Sequence, residues 1–128
     1  MNKPNNVIRI PPLKEEVFFK YWFEFLQPFH HLAKKERAIL TNLAIERYKI
    51  CKVVTDDDMV DKMLFSHDKI DGVIKKSEVS VVYFKAVLAK LRRLGIFNGR
   101  KMNPKFMPNY KGDRDFSLYI SFEVDASK

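Results

Sequence analysis

The sequence contains little cysteine, little glycine and no long uninterrupted apolar run. Cys51 is the one cysteine among 128 residues, so no disulfide can form within the chain and a disulfide-stapled secreted scaffold is excluded. Four glycines and six prolines exclude collagen-like and linker-like chains. The longest apolar stretch, 17–29, contains Lys20, Glu24 and Gln27, so it does not predict a membrane-spanning helix. Because the chain has a single cysteine, we expect a protein of a reducing compartment. Residues 1–12 also lack a signal-peptide pattern.

The composition that remains is that of one small, basic, folded domain. Hydrophobic residues make up 46% of the chain and aromatic residues 13%, which is enough to build a core. We expect a single domain over 1–128, with an extended segment and an aromatic docking helix in 1–33 and the main core in 34–124. The net charge is +8, and residues 72–114 hold 11 basic but only 2 acidic side chains. Any contact with a polyanion is therefore expected in that segment.

Apolar spacing and capping residues predict an α+β fold of four to five helices, a β-hairpin and a long final strand. The helices are expected at about 13–26, 34–50, 55–64, 66–76 and 81–94. Thr55 is the expected cap of the third helix and Ser80 that of the last, which Gly95 ends. The pair Asn98-Gly99 predicts the hairpin turn. Strict alternation of apolar and polar residues over 116–124 predicts the strand.

The first helix is unusually rich in aromatic residues. Its apolar side chains cover most of the helix circumference, so one packing partner cannot bury all of them. Two interpretations are open, a central helix buried on all sides or a helix that docks a partner or a second copy of the chain. For the docking interpretation we assign four residues to a protein interface, namely Phe18, Phe19, Trp22 and Phe25.

The order of elements in the second half resembles the winged-helix form of the helix-turn-helix. A short helix over 66–76 is followed by a tight turn at 77–79, a longer basic helix from Ser80, Gly95, and a hairpin that would be the wing. In that family the second helix lies in the major groove of DNA. Here its first turn is Val81, Val82 and Tyr83 and holds none of the Arg, Asn, Gln, Ser or Thr side chains that read base edges, so these three suit a protein surface better and we assign them to the protein interface.

Basic residues near this helix form a candidate contact for phosphates. They are Lys85, Lys90, Arg93, Arg100, Lys101, Lys105 and Lys111. Phosphate contacts hold a duplex in place without reading its sequence. The alternative is a solvated basic face with no ligand.

The sequence predicts no catalytic, metal or cofactor site, and hence no enzyme. His30 and His31 are adjacent, so on a helix they point about 100° apart and cannot chelate one metal. The run 56–58 of aspartates with Asp61 lacks the spacing of a calcium loop, and helix capping explains it better. Cys51 has no evident base beside it and is interpreted as a structural thiol.

The segment 64–104 resembles small uncharacterised proteins of crAss-like tailed bacteriophages. The resemblance is carried by the run 64–70, by Val79-Ser80 with Phe84, and by the runs 88–96 and 101–104. It implies a multi-copy virion component, a ring or connector at the head–tail junction or in the tail, made in the cytoplasm of a bacterial host. The implied partners are further copies of itself, the portal or neighbouring rings, and packaged DNA without sequence preference, but no membrane and no small-molecule substrate. The alternative function is a winged-helix transcriptional or replication regulator.

Overall fold

A computed structural model of the protein describes residues 14–107 and 124–125. Within these ranges the chain forms six helices and a two-stranded antiparallel hairpin, so the α+β prediction is confirmed. The elements are α1 (Glu15–Phe25), α2 (Gln27–His30), α3 (Lys34–Cys51), α4 (Asp57–Leu64), α5 (His67–Ser77), α6 (Val81–Arg93), β1 (Phe97–Asn98) and β2 (Lys101–Met102). The strand predicted over 116–124 lies outside the described residues except for Val124, which is exposed and in no strand.

Helix α3 lies at the centre of the packing, in contact with α1, α4, α5 and α6. Its buried residues include Thr41, Ile45 and Ile50 as well as a stripe with helical spacing, namely Ile39, Leu40, Leu43, Ala44 and Tyr48. At its first turn the Glu36 carboxylate accepts a hydrogen bond from the Ala33 backbone N–H at 2.8 Å. The same carboxylate lies 3.0 Å from Lys90 Nζ, which joins the start of α3 to α6. The central helix is therefore α3 and not the aromatic helix.

The structure adds one helix to the prediction and moves the start of another. Helix α1 ends at Phe25, close to the predicted end at about 26, and Pro28 lies in the first turn of the additional short helix α2. Proline fits there because its missing N–H would have no partner in the first turn of a helix. Helix α4 is capped by Asp56, whose Oδ1 accepts from the Asp58 N–H at 3.0 Å, and not by Thr55. Aspartate is the stronger of the two capping residues, and it starts the helix one residue later.

The hairpin turn lies one residue later than predicted. Phe97 pairs with Met102 and Asn98 with Lys101, so the two loop residues are Gly99 and Arg100. This register buries both Phe97 and Met102, whereas a shift by one residue would turn one of them to solvent. Gly99 supplies the positive φ of 62° that the first loop position needs.

Candidate interaction surfaces

Helix α1 has a buried face that contains two of the predicted docking residues. The buried residues follow the i, i+3, i+4, i+7 spacing and are Phe19, Trp22, Phe23 and Leu26. Phe19 is fully buried, with its ring centroid 5.3 Å from that of Tyr48 on α3. Trp22 Nε1 donates to the Phe106 carbonyl oxygen at 2.8 Å. Phe19 and Trp22 therefore belong to the core, and the structure corrects their assignment to the interface.

The opposite side of α1 is an exposed apolar surface. Val17, Tyr21 and Phe25 repeat every four residues and expose 39%, 47% and 52% of their surface. Phe29 on α2 exposes 60%. We call these four residues the α1 face. Of the predicted docking residues, Phe25 lies in this face, whereas the half-buried Phe18 packs against the core.

Val17, Tyr21 and Phe29 were not singled out from the sequence, although the sequence holds a signal for their exposure. The spacing of the four core residues is that of a single buried stripe, which leaves the repeat 17, 21, 25 on another side of the helix. Lys20 and Glu24, both exposed, lie beside that repeat. In a helix that is apolar on most of its circumference, charged residues such as Lys20 and Glu24 therefore indicate which side faces solvent.

A buried histidine fixes the corner between α1 and α3. His30 exposes 4% of its surface, and its Nε2 lies 2.7 Å from the Phe23 carbonyl oxygen. Its Nδ1 accepts a hydrogen bond from the Leu32 N–H at 3.0 Å, so Nε2 carries the proton of a neutral ring. Burial lowers the pKa of His30, although the hydrogen bond to Phe23 opposes that change. His30 is thus a structural residue.

Helix α6 exposes an apolar surface at the place where a DNA-reading helix would present polar side chains. Ser80 caps the helix by accepting from the Tyr83 N–H at 3.1 Å. Val81 exposes 51% and Val82 79% of their surface, and Tyr83 is half-buried. One and two turns further on, Ala86 and Ala89 are exposed as well. We call Val81, Val82, Ala86 and Ala89 the α6 face.

The predicted phosphate contacts divide into exposed cations and paired ones. Lys85, Arg93, Arg100 and Lys105 are exposed, and no ion pair among residues 14–107 involves them. Lys90 is half-buried against Glu36, so it serves the packing of α6 on α3. Lys101 Nζ lies 3.4 Å from the exposed Asp58 carboxylate. Lys111 lies outside the described residues.

Of the aspartates at 56–58 and 61, Asp61 is the buried one, and it pairs with a cation on another helix. Asp61 exposes 5% of its surface, and its Oδ1 lies 3.2 Å from Arg47 Nε. A buried carboxylate with a cation beside it holds α4 on α3, a role that its place in a run of aspartates does not reveal. Arg47 also lies 3.6 Å from the Cys51 Sγ, and that thiol is exposed.

In the part of the chain that the structure describes, no group of three or more His, Cys, Asp or Glu side chains could hold a metal ion. Nor is any described helix both long and apolar enough to cross a membrane. Comparison of the chain with protein-family models, curated proteins and solved structures finds no match. The surfaces themselves are therefore the basis for a functional proposal.

Proposed function

We propose that this protein is a non-enzymatic assembly protein, a multi-copy ring or connector component of a tailed-phage virion. The observation that carries the assembly role is the pair of exposed apolar helix surfaces, the α1 face and the α6 face. Exposed aromatic side chains gain a large free energy when a partner removes them from water. Tyr21, Phe25 and Phe29 are about half-exposed or more, although the core holds other aromatic residues. This exposure favours a role in contacts with other proteins.

The α6 face supports this role over sequence-specific DNA binding. Helix α5, the turn at 78–80, α6 and the hairpin follow one another in the order of a winged helix, and we propose that fold for the second half of the chain. In such a fold the first turn of α6 would face base edges. Val81 and Val82 can offer methyl groups there but no hydrogen bonds, so they suit a protein surface better.

The virion part of the proposal depends on the resemblance of residues 64–104 to proteins of crAss-like phages. Tailed phages build their necks and tails from stacked rings of small chains. Two separate apolar surfaces are what a subunit needs when it contacts both a copy of itself and a neighbouring ring or the portal. The exposed cations Arg100 and Lys105, which lie outside the α6 face, would then face DNA that passes through or packs against the assembly.

The experiment that tests the proposal has two readouts. Sedimentation velocity of the untagged protein, at about 0.1 M salt so that phosphate contacts are only partly screened, is run with and without a labelled random-sequence duplex. We expect self-association that the duplex does not abolish. Mass spectrometry of gradient-purified particles of the encoding phage should find the chain in many copies per portal. Its absence from particles would overturn the virion role.

A DNA-binding regulator is the second candidate, and one observation favours it. Exposed cations without ion pairs in the described chain lie on α6 (Lys85, Arg93) and in the hairpin loop (Arg100). A monomer or dimer that shifts fully onto the duplex would support this function. The double variant Arg93→Glu/Arg100→Glu should then lose duplex binding, whereas Asp68→Lys, a fully exposed change elsewhere, should not.

A further inference from the structure

The flank of the α1 face carries one charge of each sign. At about 100° per residue, Val17, Tyr21 and Phe25 drift by about 40° per step and form one strip along the helix. Lys20 and Glu24 lie along the same side of this strip, one turn apart. Both are exposed, and neither belongs to an ion pair in the described part of the chain. On the other side, the strip continues through the half-buried Phe18 into the core.

This pattern is complementary to itself when two copies of α1 pack antiparallel. In an antiparallel pair a given flank of one helix faces the same flank of the other, and a two-fold axis beside Tyr21 sets Val17 against the partner's Phe25. The same axis brings Lys20 within about two residues, or 3 Å along the helix, of both Glu24 and Lys20 in the second copy, so the dimer contains two contacts between opposite charges and one between like charges. In a parallel pair the charged flank would instead meet the apolar Phe18 side.

We propose that the α1 face is a two-fold contact between two copies of this chain, with two symmetric Lys20–Glu24 ion pairs across it. The inference goes beyond the proposed function, because a two-fold contact closes at two copies and gives a dimer, whereas the contacts within a ring are head-to-tail and would use other surfaces. The α6 face is not complementary to itself in charge. Helix α6 carries only basic charges, so two copies would place Lys85 and Arg93 next to other basic side chains. That surface is left for a different partner.

The size of the α1 face sets the strength of the contact. A stable interface buries about 800 Å² on each partner. Four half-exposed side chains on little more than three helical turns supply less than that, so the pair should dissociate on dilution. The dimer is therefore expected to form and dissociate within the concentration range of analytical ultracentrifugation.

Charge exchange across the two-fold axis gives a test that depends on the geometry. Sedimentation equilibrium at several concentrations and about 0.15 M salt is run on the full chain and on Lys20→Glu, Glu24→Lys and the double variant. Each single change sets like charges together twice per dimer, and we expect the dissociation constant to rise roughly tenfold or more. The double variant restores opposite charges and should return to within about threefold of the original value.

An apolar change and its control complete the test. Tyr21→Asp should make the chain monomeric, while Met59→Asp on α4 should leave the dimer intact, because both side chains are 47% exposed but only Tyr21 lies in the α1 face. Circular dichroism and the urea midpoint show that each variant is folded.

Three results would overturn the inference. They are a monomer at every concentration, a dimer that Tyr21→Asp leaves unchanged, and a double charge variant as weak as the single ones. The failure of the inference and that of the proposed function can be told apart. A monomeric chain that is still found in phage particles refutes the two-fold contact, whereas a dimer that is absent from particles refutes the virion role.

Discussion

The division of α1 into a buried side and an exposed side predicts very different costs for two otherwise identical substitutions. Phe19→Ala and Phe25→Ala remove the same ring from the same helix, six residues apart. Phe19 is fully buried between Phe18 and Tyr48, whereas Phe25 exposes 52% of its surface. The comparison therefore isolates burial from residue type and helix propensity.

The magnitudes follow from the area that each ring removes from water. A fully enclosed aromatic side chain buries about 150–250 Å², which at about 25 cal/mol per Å² corresponds to roughly 4–6 kcal/mol. Alanine recovers part of this, but a cavity remains, so Phe19→Ala should lower the free energy of unfolding by about 3–5 kcal/mol. Phe25 buries about half as much and water fills the vacated space, so Phe25→Ala should cost only about 1–2 kcal/mol.

Urea denaturation at equilibrium measures both costs. Trp22 is the single tryptophan of the chain and lies in the core, so its fluorescence reports unfolding directly. Measurements at low protein concentration separate folding from self-association. If Phe19→Ala leaves too little folded protein, Phe19→Leu gives a milder change of the same sign. Equal costs at positions 19 and 25, or a larger cost at 25, would refute the assignment of the two faces.

Three further predictions concern buried polar groups. Burial lowers the pKa of His30 in the folded protein from its usual 6.5, so the free energy of unfolding is highest above pH 6.5 and falls as the pH drops toward the lowered pKa. In His30→Asn the amide oxygen can still accept a hydrogen bond from the Leu32 N–H. Urea melts of this variant should therefore show a weaker dependence of the free energy of unfolding on pH. Asp61→Ala leaves Arg47 half-buried without its partner and should lower the free energy of unfolding by about 2–4 kcal/mol. Lys90→Met removes the pair with Glu36 and should cost about 1 kcal/mol without changing any affinity for a DNA duplex measured by fluorescence anisotropy.

Each of these has a control within the chain. The carboxylates Glu15, Glu16 and Glu36, whose pKa values are lowered from 4.5, lose their stabilising contribution only in more acidic solution, so they do not affect the slope between pH 5 and 6.5. Asp68→Ala, a fully exposed change, should alter stability by less than about 0.5 kcal/mol. A loss of duplex binding in Lys90→Met would show that Lys90 contacts DNA and does not only hold α6 on α3.

Local patterns in the sequence predicted most of the helices. The inward residues of α6 (Phe84, Val87, Leu91) and its cap at Ser80 are set by contacts within a few residues, because the helical period and the capping hydrogen bond are local properties. The same holds for the left-handed Gly95, which ends the helix region at φ 77°. The basic character of the segment that contains α6 also follows directly from the residue types.

Only the tertiary structure decided which aromatic side chains are buried and which lysines have ion-pair partners. The aromatic side chains of α1 look alike in the sequence, and the packing of the helix on α3 buries Phe19 and Trp22 while it leaves Tyr21 and Phe25 outside. Lys90 differs from Lys85 only because Glu36, 54 residues earlier in the chain, lies 3.0 Å away. Burial and ion pairing depend on groups that are distant in sequence. Helical periodicity and residue type therefore determined the helices and their charge. The packing of those helices determined which side chains stay exposed and without an ion pair in the described part of the chain.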